Sequence, residues 1–209
     1  ALPLTRQFRM HPDICSFVSD CFYDGILKTA DSITPEERSS PKEINEGKPL
    51  TFVNIPISCG SEIGGVSKSR WAEAEIIGKD IRNILDVDPK AKIGVITFYS
   101  AQSKLITNHI DNVLNDEEKN NIEIGTVDAF QGKEFDYVLL SCVRSNHGKD
   151  GNPPAVGFLE KPNRLCVAFS RSIRQLVVYG DAETLIQVPC FSKLYDICAI
   201  EGGGCYREY

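Results

Sequence analysis

Short runs of apolar residues alternate along the chain with stretches in which apolar residues recur every three or four positions. Short β-branched runs are typical of buried strands, and the longer spacing is typical of helices with one face in a core. The predicted strands are residues 50–57, 92–98, 122–127, 135–143 and 175–180. Five helices are predicted. The first begins at Pro12, and the second follows the loop 58–69. The third spans 101–114 with Ser100 as N-cap, the fourth begins at Pro162, and the fifth spans 181–188. Strands that alternate with helices predict an α/β fold with a parallel sheet and helices on both faces.

The whole chain, residues 1–209, is predicted to form one domain. Its 209 residues, of which 42% are hydrophobic, are enough to bury a core. The acidic segment 29–48 contains proline and serine and predicts a surface loop. The tail 189–209 gives no clear pattern, and its three glycines at 202–204 predict that order ends there.

Charge and cysteine usage limit the class of protein. A net charge of −6 argues against nucleic-acid binding over the whole surface, so any anion site must be local. Eight cysteines occur without a CxxC pair, and Cys142 and Cys166 lie in apolar runs, which predicts reduced thiols in an intracellular protein, cytoplasmic or nuclear, without a metal site. No run of about 18 apolar residues occurs, so no membrane span is expected.

Three arginines, Arg164, Arg171 and Arg174, directly precede the apolar run 175–180. Arg164 and Arg171 are seven residues apart, which predicts that one helical face carries both. A guanidinium is always charged and offers a planar fork of donors suited to phosphate. The segment is therefore a candidate anion site. A solvated helix face with local ion pairs is the alternative that this segment alone leaves open.

Polar residues follow three of the predicted strands, in the segments 97–102, 126–134 and 144–146. Parallel sheets bind ligands at the carboxyl ends of their strands, so these segments are the first candidates for a binding site. Their hydroxyls, amides and backbone N–H groups are suited to phosphate oxygens. Gly132 permits a tight turn or a close approach of the backbone to a ligand.

Four motifs resemble a known family. They are QFRMHP (7–12), VITFYSAQ (95–102), GTVDAFQGKEFDYVLLSCVRSN (125–146) and GFLEKPNRLCVAFSRS (157–172). In sequence and in order they resemble the second RecA-like domain of superfamily 1B helicases, in the branch that contains senataxin and the nonsense-mediated-decay helicase. The resemblance implies a RecA-like sheet and an ATP-driven motor on single-stranded RNA or DNA, with ATP bound between two RecA-like domains.

The resemblance also implies roles for individual residues. Arg171 would be the catalytic arginine finger on the γ-phosphate. The implied nucleotide contacts are Gln7, Arg70, Gln131, Gly132, Glu134, Arg171 and Arg174. The implied contacts to the nucleic-acid strand are Arg9, Thr97, Ser100, Thr126, Asp128, Arg144 and Asn146. No GxxxxGK[ST] loop occurs, so a first RecA-like domain is expected upstream, where it would hold most of the Mg²⁺ that accompanies ATP.

Two functions from different classes follow. The full protein is predicted to be a nucleic-acid-stimulated ATPase and helicase, and this chain in isolation is predicted to be inactive. The alternative is a degenerate RecA-like module that serves as a non-catalytic platform for nucleic acid or protein. Intact Gln7, Gln131, Glu134 and Arg171 count against the platform, because a binding module has no need of a finger arginine.

Overall fold

The structure, a computed structural model, describes residues 5–148 and 150–209. The strands are β1 (Arg6–Gln7), β2 (Lys28–Thr29), β3 (Leu50–Asn54), β4 (Ile63–Gly64), β5 (Lys68–Ser69), β6 (Ile93–Thr97), β7 (Ile122–Thr126), β8 (Phe135–Ser141), β9 (Ser172–Gly180) and β10 (Cys205–Glu208). The α-helices are α1 (Pro12–Phe22), α2 (Trp71–Val87), α3 (Ser100–Val113), α4 (Asp116–Lys119), α5 (Pro162–Phe169), α6 (Ala182–Leu185) and α7 (Pro189–Tyr195).

Six of the strands form one sheet in the order β10-β3-β9-β8-β6-β7, and every neighbouring pair is parallel. Parallel strands require that the chain returns to the same edge before each strand, and helices or turns make these returns. We call the edge at which the strands begin the amino edge and the edge at which they end the carboxyl edge. The small pairs β1-β2 and β4-β5 lie outside this sheet.

Helices cover both faces of the sheet, as the sequence predicts. Along β8, Val138 and Leu140 belong to a core shared with α1, α5 and α7. Tyr137 and Leu139 alternate with them and belong to a core shared with α2 and α3. Alternation of buried residues on both faces explains why the strands are almost continuously apolar. Within the described residues, no helix combines the length and apolar character that crossing a bilayer requires.

The start of α3 differs from the prediction. Ser100 is the first helical residue and Tyr99 is the N-cap, with extended backbone angles and no capping side chain of its own. The Oγ of Ser67, from the turn between β4 and β5, instead accepts from the N–H of Ala101 at 2.9 Å. The predicted cap is therefore wrong because the acceptor comes from a segment 34 residues away.

The arginine-rich segment also differs from the prediction. Helix α5 ends at Phe169, and β9 begins at Ser172, three residues before the predicted strand start at Gln175. The strand begins early because its neighbours supply backbone partners: the N–H of Phe135 donates to Arg171 O at 3.0 Å. Arg171 consequently lies between the helix and the strand, and the prediction that one helical face carries Arg164 and Arg171 is wrong.

The tail is ordered. Helix α7 continues into a π-helical turn, Asp196–Ile200, and β10 then adds an edge strand beside β3. A Cβ on Gly204 would lie 2.5 Å from the Sγ of Cys198 and 2.7 Å from the carbonyl oxygen of Leu50. The glycines that predict an end of order therefore allow a close turn into β10. The predicted helix 181–188 is also shorter, since α6 has four residues with Asp181 as N-cap.

Candidate nucleotide and nucleic-acid sites

The predicted site residues separate into two groups at opposite edges of the sheet. Thr97 and Thr126 end β6 and β7 at the carboxyl edge, and they are paired in register. Glu134 and Arg171 directly precede β8 and β9 and therefore lie at the amino edge. The prediction that the whole segment 126–134 lies at strand carboxyl ends is wrong, because the chain must return across the sheet before the parallel strand β8 can start.

Arg9, Glu134 and Arg171 form the main cluster at the amino edge. The Nε of Arg9 donates to Glu134 Oε2 at 2.9 Å, and its Nη1 donates to the carbonyl oxygen of Ser170 at 3.0 Å. Arg9 thus lies beside the backbone of the residue that precedes Arg171. The resemblance implied that Arg9 contacts the nucleic-acid strand, but the structure places it with two predicted nucleotide contacts. We call these three residues the amino-edge cluster.

Backbone and hydroxyl oxygens hold the guanidinium of Arg171. Its Nε donates to Val167 O at 3.0 Å, its Nη1 to Lys133 O at 3.3 Å and its Nη2 to Ser170 Oγ at 2.8 Å. Within the described ranges it forms no ion pair. Burial and the neighbouring Arg9 lower the pKa of Arg171, and Glu134 opposes this effect. Two guanidiniums thus lie near one exposed carboxylate, which pairs with Arg9 and not with Arg171, and the excess of positive charge suits an anion.

Gln7 shapes the turn that carries Arg9. Its Oε1 accepts from the backbone N–H groups of Arg9 and Met10, each at 2.7 Å. Its Nε2 donates to Met10 O at 3.0 Å and to Thr29 Oγ1 at 2.9 Å. The amide therefore fixes the turn 7–10 in place, and a nucleotide contact through Gln7 stays a prediction that requires one of these bonds to be exchanged. The same turn leaves the ring of Phe8 65% exposed.

Gln131 and Gly132 lie on the exposed turn before Glu134. Gly132 has φ +82°, a left-handed conformation that side chains disfavour, and nothing lies within 4 Å of the position its Cβ would take. Glycine is needed here for the backbone conformation and not for space. Gln131 borders a groove between this turn and α5. Their roles as nucleotide contacts stay predictions.

Arg70 and Arg174 do not join the amino-edge cluster. Arg70 is 1% exposed, and its guanidinium donates to Gly60 O at 2.7 Å and to Pro56 O at 2.8 Å. Arg174 forms ion pairs with Asp88 at 3.0 Å and with Asp136 at 3.5 Å. Both guanidiniums are occupied by partners within the chain, as buried or half-buried donors require. Nucleotide roles for these two arginines are predictions that the described contacts do not support.

The carboxyl edge presents a different set of predicted residues. Thr97 is fully buried, and its Oγ1 accepts from the N–H of Tyr99 at 3.4 Å. Thr126 is half-buried, whereas Ser100 is exposed and its Oγ lies 3.1 Å from that of Ser67. Asp128 is also exposed and forms an ion pair with Arg164. Ser100, Thr126 and Asp128, together with Arg164, therefore present hydroxyls and charges to solvent at this edge.

Arg144 and Asn146 surround the carboxylate of Glu62. The Nε of Arg144 donates to Glu62 Oε2 at 2.7 Å, and Lys68 Nζ lies 3.0 Å from Glu62 Oε1. Burial would raise the pKa of Glu62, but these cations and the N–H of Ser145 outweigh burial and lower it. Asn146 exchanges two hydrogen bonds of 2.9 Å with the backbone of Ala155 and borders a cavity of about 390 Å³. Arg144 is only 6% exposed, so its predicted strand contact would require it to leave this pair.

A fully buried carboxylate, Glu73, organises the backbone behind this edge. Val143 follows β8 with φ +69°, an unusual conformation for a β-branched residue. Its N–H donates to Glu73 Oε2 at 2.9 Å, and Ser141 Oγ donates to the same oxygen at 2.6 Å. Arg70 Nη1 lies 3.5 Å from Glu73 Oε1. Burial raises the pKa of Glu73, and Arg70, Ser141 and Val143 oppose that rise.

Sequence reasoning missed Glu73, although a signal exists. Glu73, Ile77 and Ile81 are spaced four residues apart, so the carboxylate continues the buried stripe of α2. It missed Arg9 as a member of the amino-edge cluster because no local pattern indicates that Glu134, 125 residues later, lies beside it.

Comparisons with known proteins agree with this architecture. The fold is similar to the C-terminal domain of a possible DNA helicase from Lactobacillus plantarum WCFS1, with a TM-score of 0.55, 12% identity and coverage of 97% of this chain and 98% of that chain. This likeness shows the fold of a helicase C-terminal domain, with a RecA-like sheet.

Sequence comparisons show the family. Residues 1–183 match the model of the AAA domain family. The chain is 36% identical over 195 residues to Regulator of nonsense transcripts 1 of Dictyostelium discoideum, which covers 91% of this chain and 14% of that protein. It is 35% identical over 204 residues to the ATP-dependent helicase NAM7 of Saccharomyces cerevisiae, which covers 91% of this chain and 20% of that protein. The chain belongs to this AAA domain family, in the nonsense-mediated-decay branch of superfamily 1 helicases, and spans at most about a fifth of these relatives.

Proposed function

We propose that this chain is the second motor domain of an ATP-dependent RNA or DNA helicase and that Arg171 is its arginine finger. The observation that carries the proposal is the amino-edge cluster, in which Arg171 has no ion-pair partner among the described residues and lies beside a second guanidinium. Negative charge that develops on transferring phosphate oxygens is stabilised by such pre-positioned donors. The relative NAM7 is named an ATP-dependent helicase, which supports the same reaction.

The donors at the amino edge of this chain suit the phosphates of ATP. The two guanidiniums offer positive charge to an anion, and the open space at Gly132 lets the backbone of this turn approach it. In the parts of the chain that the structure describes, no group of three His, Cys, Asp or Glu side chains is arranged to hold a metal. We assign Mg²⁺ mainly to an upstream RecA-like domain of the same protein, which would complete the cleft, because this chain has no GxxxxGK[ST] loop, whose Ser or Thr hydroxyl binds that ion.

In this mechanism Arg171 donates to γ-phosphate oxygens as a water molecule attacks in line. Arg9 would exchange Glu134, whose side chain is 57% exposed, for a phosphate oxygen, and the released carboxylate would turn toward the ribose or the attacking water. The exposed ring of Phe8, on the same turn as Arg9, is the aromatic surface that we assign to the adenine base. Closure and opening of the cleft would move the two domains along the strand.

Replacing Arg9 with alanine separates its two possible roles. If Arg9 contacts the nucleotide, the KM for ATP of the full-length protein should rise about 10- to 100-fold, because a charge-assisted hydrogen bond is lost. Affinity for single-stranded RNA or DNA, measured without nucleotide, should not change. Weaker strand binding with an unchanged KM would return Arg9 to the strand contact that the resemblance implied.

The carboxyl edge is proposed to face the strand. Hydroxyl, amide and cationic side chains there can contact the sugar–phosphate backbone, which carries no base sequence, so binding is expected to be sequence-independent. The net charge of −6 requires that such contacts are local, and the grouping of Ser100, Thr126 and Arg164 at one edge meets that requirement.

The test of the whole proposal is ATP hydrolysis by the full-length protein with and without single-stranded RNA and DNA. We expect the strand to stimulate hydrolysis, and we expect residues 1–209 alone to hydrolyse no ATP, because half of the phosphate site lies in the other domain. Absence of hydrolysis under every condition, with retained strand binding, would instead support the non-catalytic platform.

A further inference from the structure

We propose that Phe158, Arg164 and Asp128 form a subsite for one nucleotide of single-stranded nucleic acid. In this subsite a base packs on the Phe158 ring, and Arg164 exchanges its carboxylate partner for a backbone phosphate. The inference rests on the proposed function, because it requires that the carboxyl edge faces a strand. It adds a base-stacking aromatic and a phosphate-binding arginine, and it makes Asp128 a competitor of the strand in place of a contact.

The three residues lie where two strand ends meet. Phe158 belongs to the 3-10 turn Gly157–Glu160, and its ring centroid lies 5.5 Å from that of Tyr99, the N-cap residue of α3 just after β6. Asp128 follows Thr126, the last residue of β7, by two positions. Arg164, in the first turn of α5, joins them, since it pairs with Asp128 and lies over Phe158.

Phe158 and Arg164 form an aromatic and cationic surface that reaches solvent. The guanidinium carbon of Arg164 lies 5.6 Å from the centroid of the Phe158 ring. Phe158 is 39% exposed, and the side chain of Arg164 is 35% exposed. Unpaired bases stack on aromatic rings and on guanidinium planes, and every base offers a π face. The pair therefore suits a base of any identity.

The ion pair that holds Arg164 can be exchanged. The side chain of Asp128 is 64% exposed, and ion pairs at such exposure are weak because water screens them. A phosphate offers two oxygens to the same planar fork, and the released Asp128 carboxylate becomes solvated at little cost. Without a strand, Asp128 keeps the guanidinium oriented over Phe158. A groove of about 260 Å³ next to Arg164, lined in part by Val127, Asn163 and Val167, leaves room for the incoming group.

Close packing of the neighbouring residues fixes the turn that carries Phe158. Gly157 has φ +58°, and a Cβ at this position would lie 2.2 Å from Arg144 Nη1 and 3.0 Å from the hydroxyl oxygen of Tyr99. The next residue but one, Leu159, is fully buried in the core. The backbone on both sides of the ring is thus fixed by close packing, which lowers the entropy that a base must overcome when it stacks.

The test measures the affinity of the full-length protein for fluorescently labelled single-stranded RNA by anisotropy, with a second probe of equal length that contains abasic sites. Phe158→Ala should weaken binding of the normal strand about 5- to 150-fold and have little effect on the abasic strand. Phe158→Trp should retain affinity, because the larger ring preserves the stacking surface. Ile200→Ala removes an apolar side chain that is 71% exposed at the amino edge, and this control should bind as the unmodified protein does.

Salt dependence tests the phosphate exchange. Arg164→Ala should weaken binding to both probes and reduce the slope of log Kobs against log salt by about 0.7, the value for one contact to a single strand. Asp128→Asn, which removes the competing charge, should strengthen binding. Weaker binding by Asp128→Asn, or unchanged affinities in Phe158→Ala and Arg164→Ala while the strand still stimulates hydrolysis, would overturn the subsite and leave the motor function intact. Failure of the unmodified protein to bind either probe would overturn both.

Discussion

Arg171→Ala in the full-length protein is expected to lower strand-stimulated ATP hydrolysis by about 10³- to 10⁵-fold, which is the contribution of an arginine finger in related phosphoryl-transfer reactions. This loss corresponds to about 4–7 kcal/mol of transition-state stabilisation. The physical reason is that Arg171 is pre-positioned by Val167, Lys133 and Ser170, so that its charge needs no reorganisation when the γ-phosphate develops charge. Steady-state hydrolysis at saturating strand, with ATP varied, measures kcat and KM separately.

Arg174→Ala provides the matched control for this prediction. It removes the same charge three residues later, but from a side chain that pairs with Asp88 and Asp136 on the other face of the sheet. We expect its kcat to stay within a few-fold of the unmodified protein, with some loss of stability. Near-normal turnover in Arg171→Ala would remove that residue from the finger role. A collapse of turnover in Arg174→Ala would support the nucleotide contact that the resemblance implied.

Arg171 and Arg174 lie at the start of β9, a boundary that the local sequence pattern does not predict. Periodicity finds strands well, as the predicted segment 92–98 and the observed β6 (Ile93–Thr97) show, because a strand buried on both faces is apolar along its length. The start of β9 has no such signal, since Arg174 and Ser172 interrupt the apolar run. The start of β9 depends on its backbone partners in β8 and on the carboxylates that pair with Arg174. These are Asp136 and Asp88, which lie 38 and 86 residues away in the sequence, so no short stretch around β9 contains them.

The positions of the candidate site residues also depend on contacts between distant parts of the chain. Motif resemblance selected Glu134 and Arg171 as nucleotide contacts although they are distant in sequence, and the structure places both beside Arg9 at the amino edge. Their contacts to a nucleotide stay predictions. The resemblance grouped Arg9 with the strand contacts, a role that stays a prediction. The rule that ligands bind at strand carboxyl ends, and not the resemblance, placed Glu134 at the wrong edge of the sheet. The error for Glu134 concerns the edge at which the chain re-enters the sheet: β7 and β8 both run parallel to β6, so the chain must return to the amino edge before β8 begins.

The second large effect is expected from Glu73→Ala, which should destabilise the fold by about 3–5 kcal/mol, the cost of breaking a buried charged pair. The substitution leaves the buried Arg70 without its carboxylate and removes the acceptor of Ser141 Oγ and of the Val143 N–H. It also releases Val143 from its left-handed conformation, which by itself stores about 1–3 kcal/mol of strain. The carboxylate is therefore the group that holds the end of β8 in a conformation the backbone would otherwise leave.

Urea unfolding of the 209-residue chain, followed by far-UV circular dichroism, measures this effect. Glu75→Ala is the matched control, since Glu75 lies on the same helix and its only described ion pair is with Lys79, at 2.8 Å on the exposed face. That change should alter the free energy of unfolding by about 0.5 kcal/mol or less. If Glu73→Ala and Glu75→Ala unfold at the same urea concentration, the carboxylate network does not stabilise the carboxyl edge. If only Glu73→Ala shifts, the same variant should also bind single strands more weakly, because the segment of Arg144 and Asn146 begins at Val143.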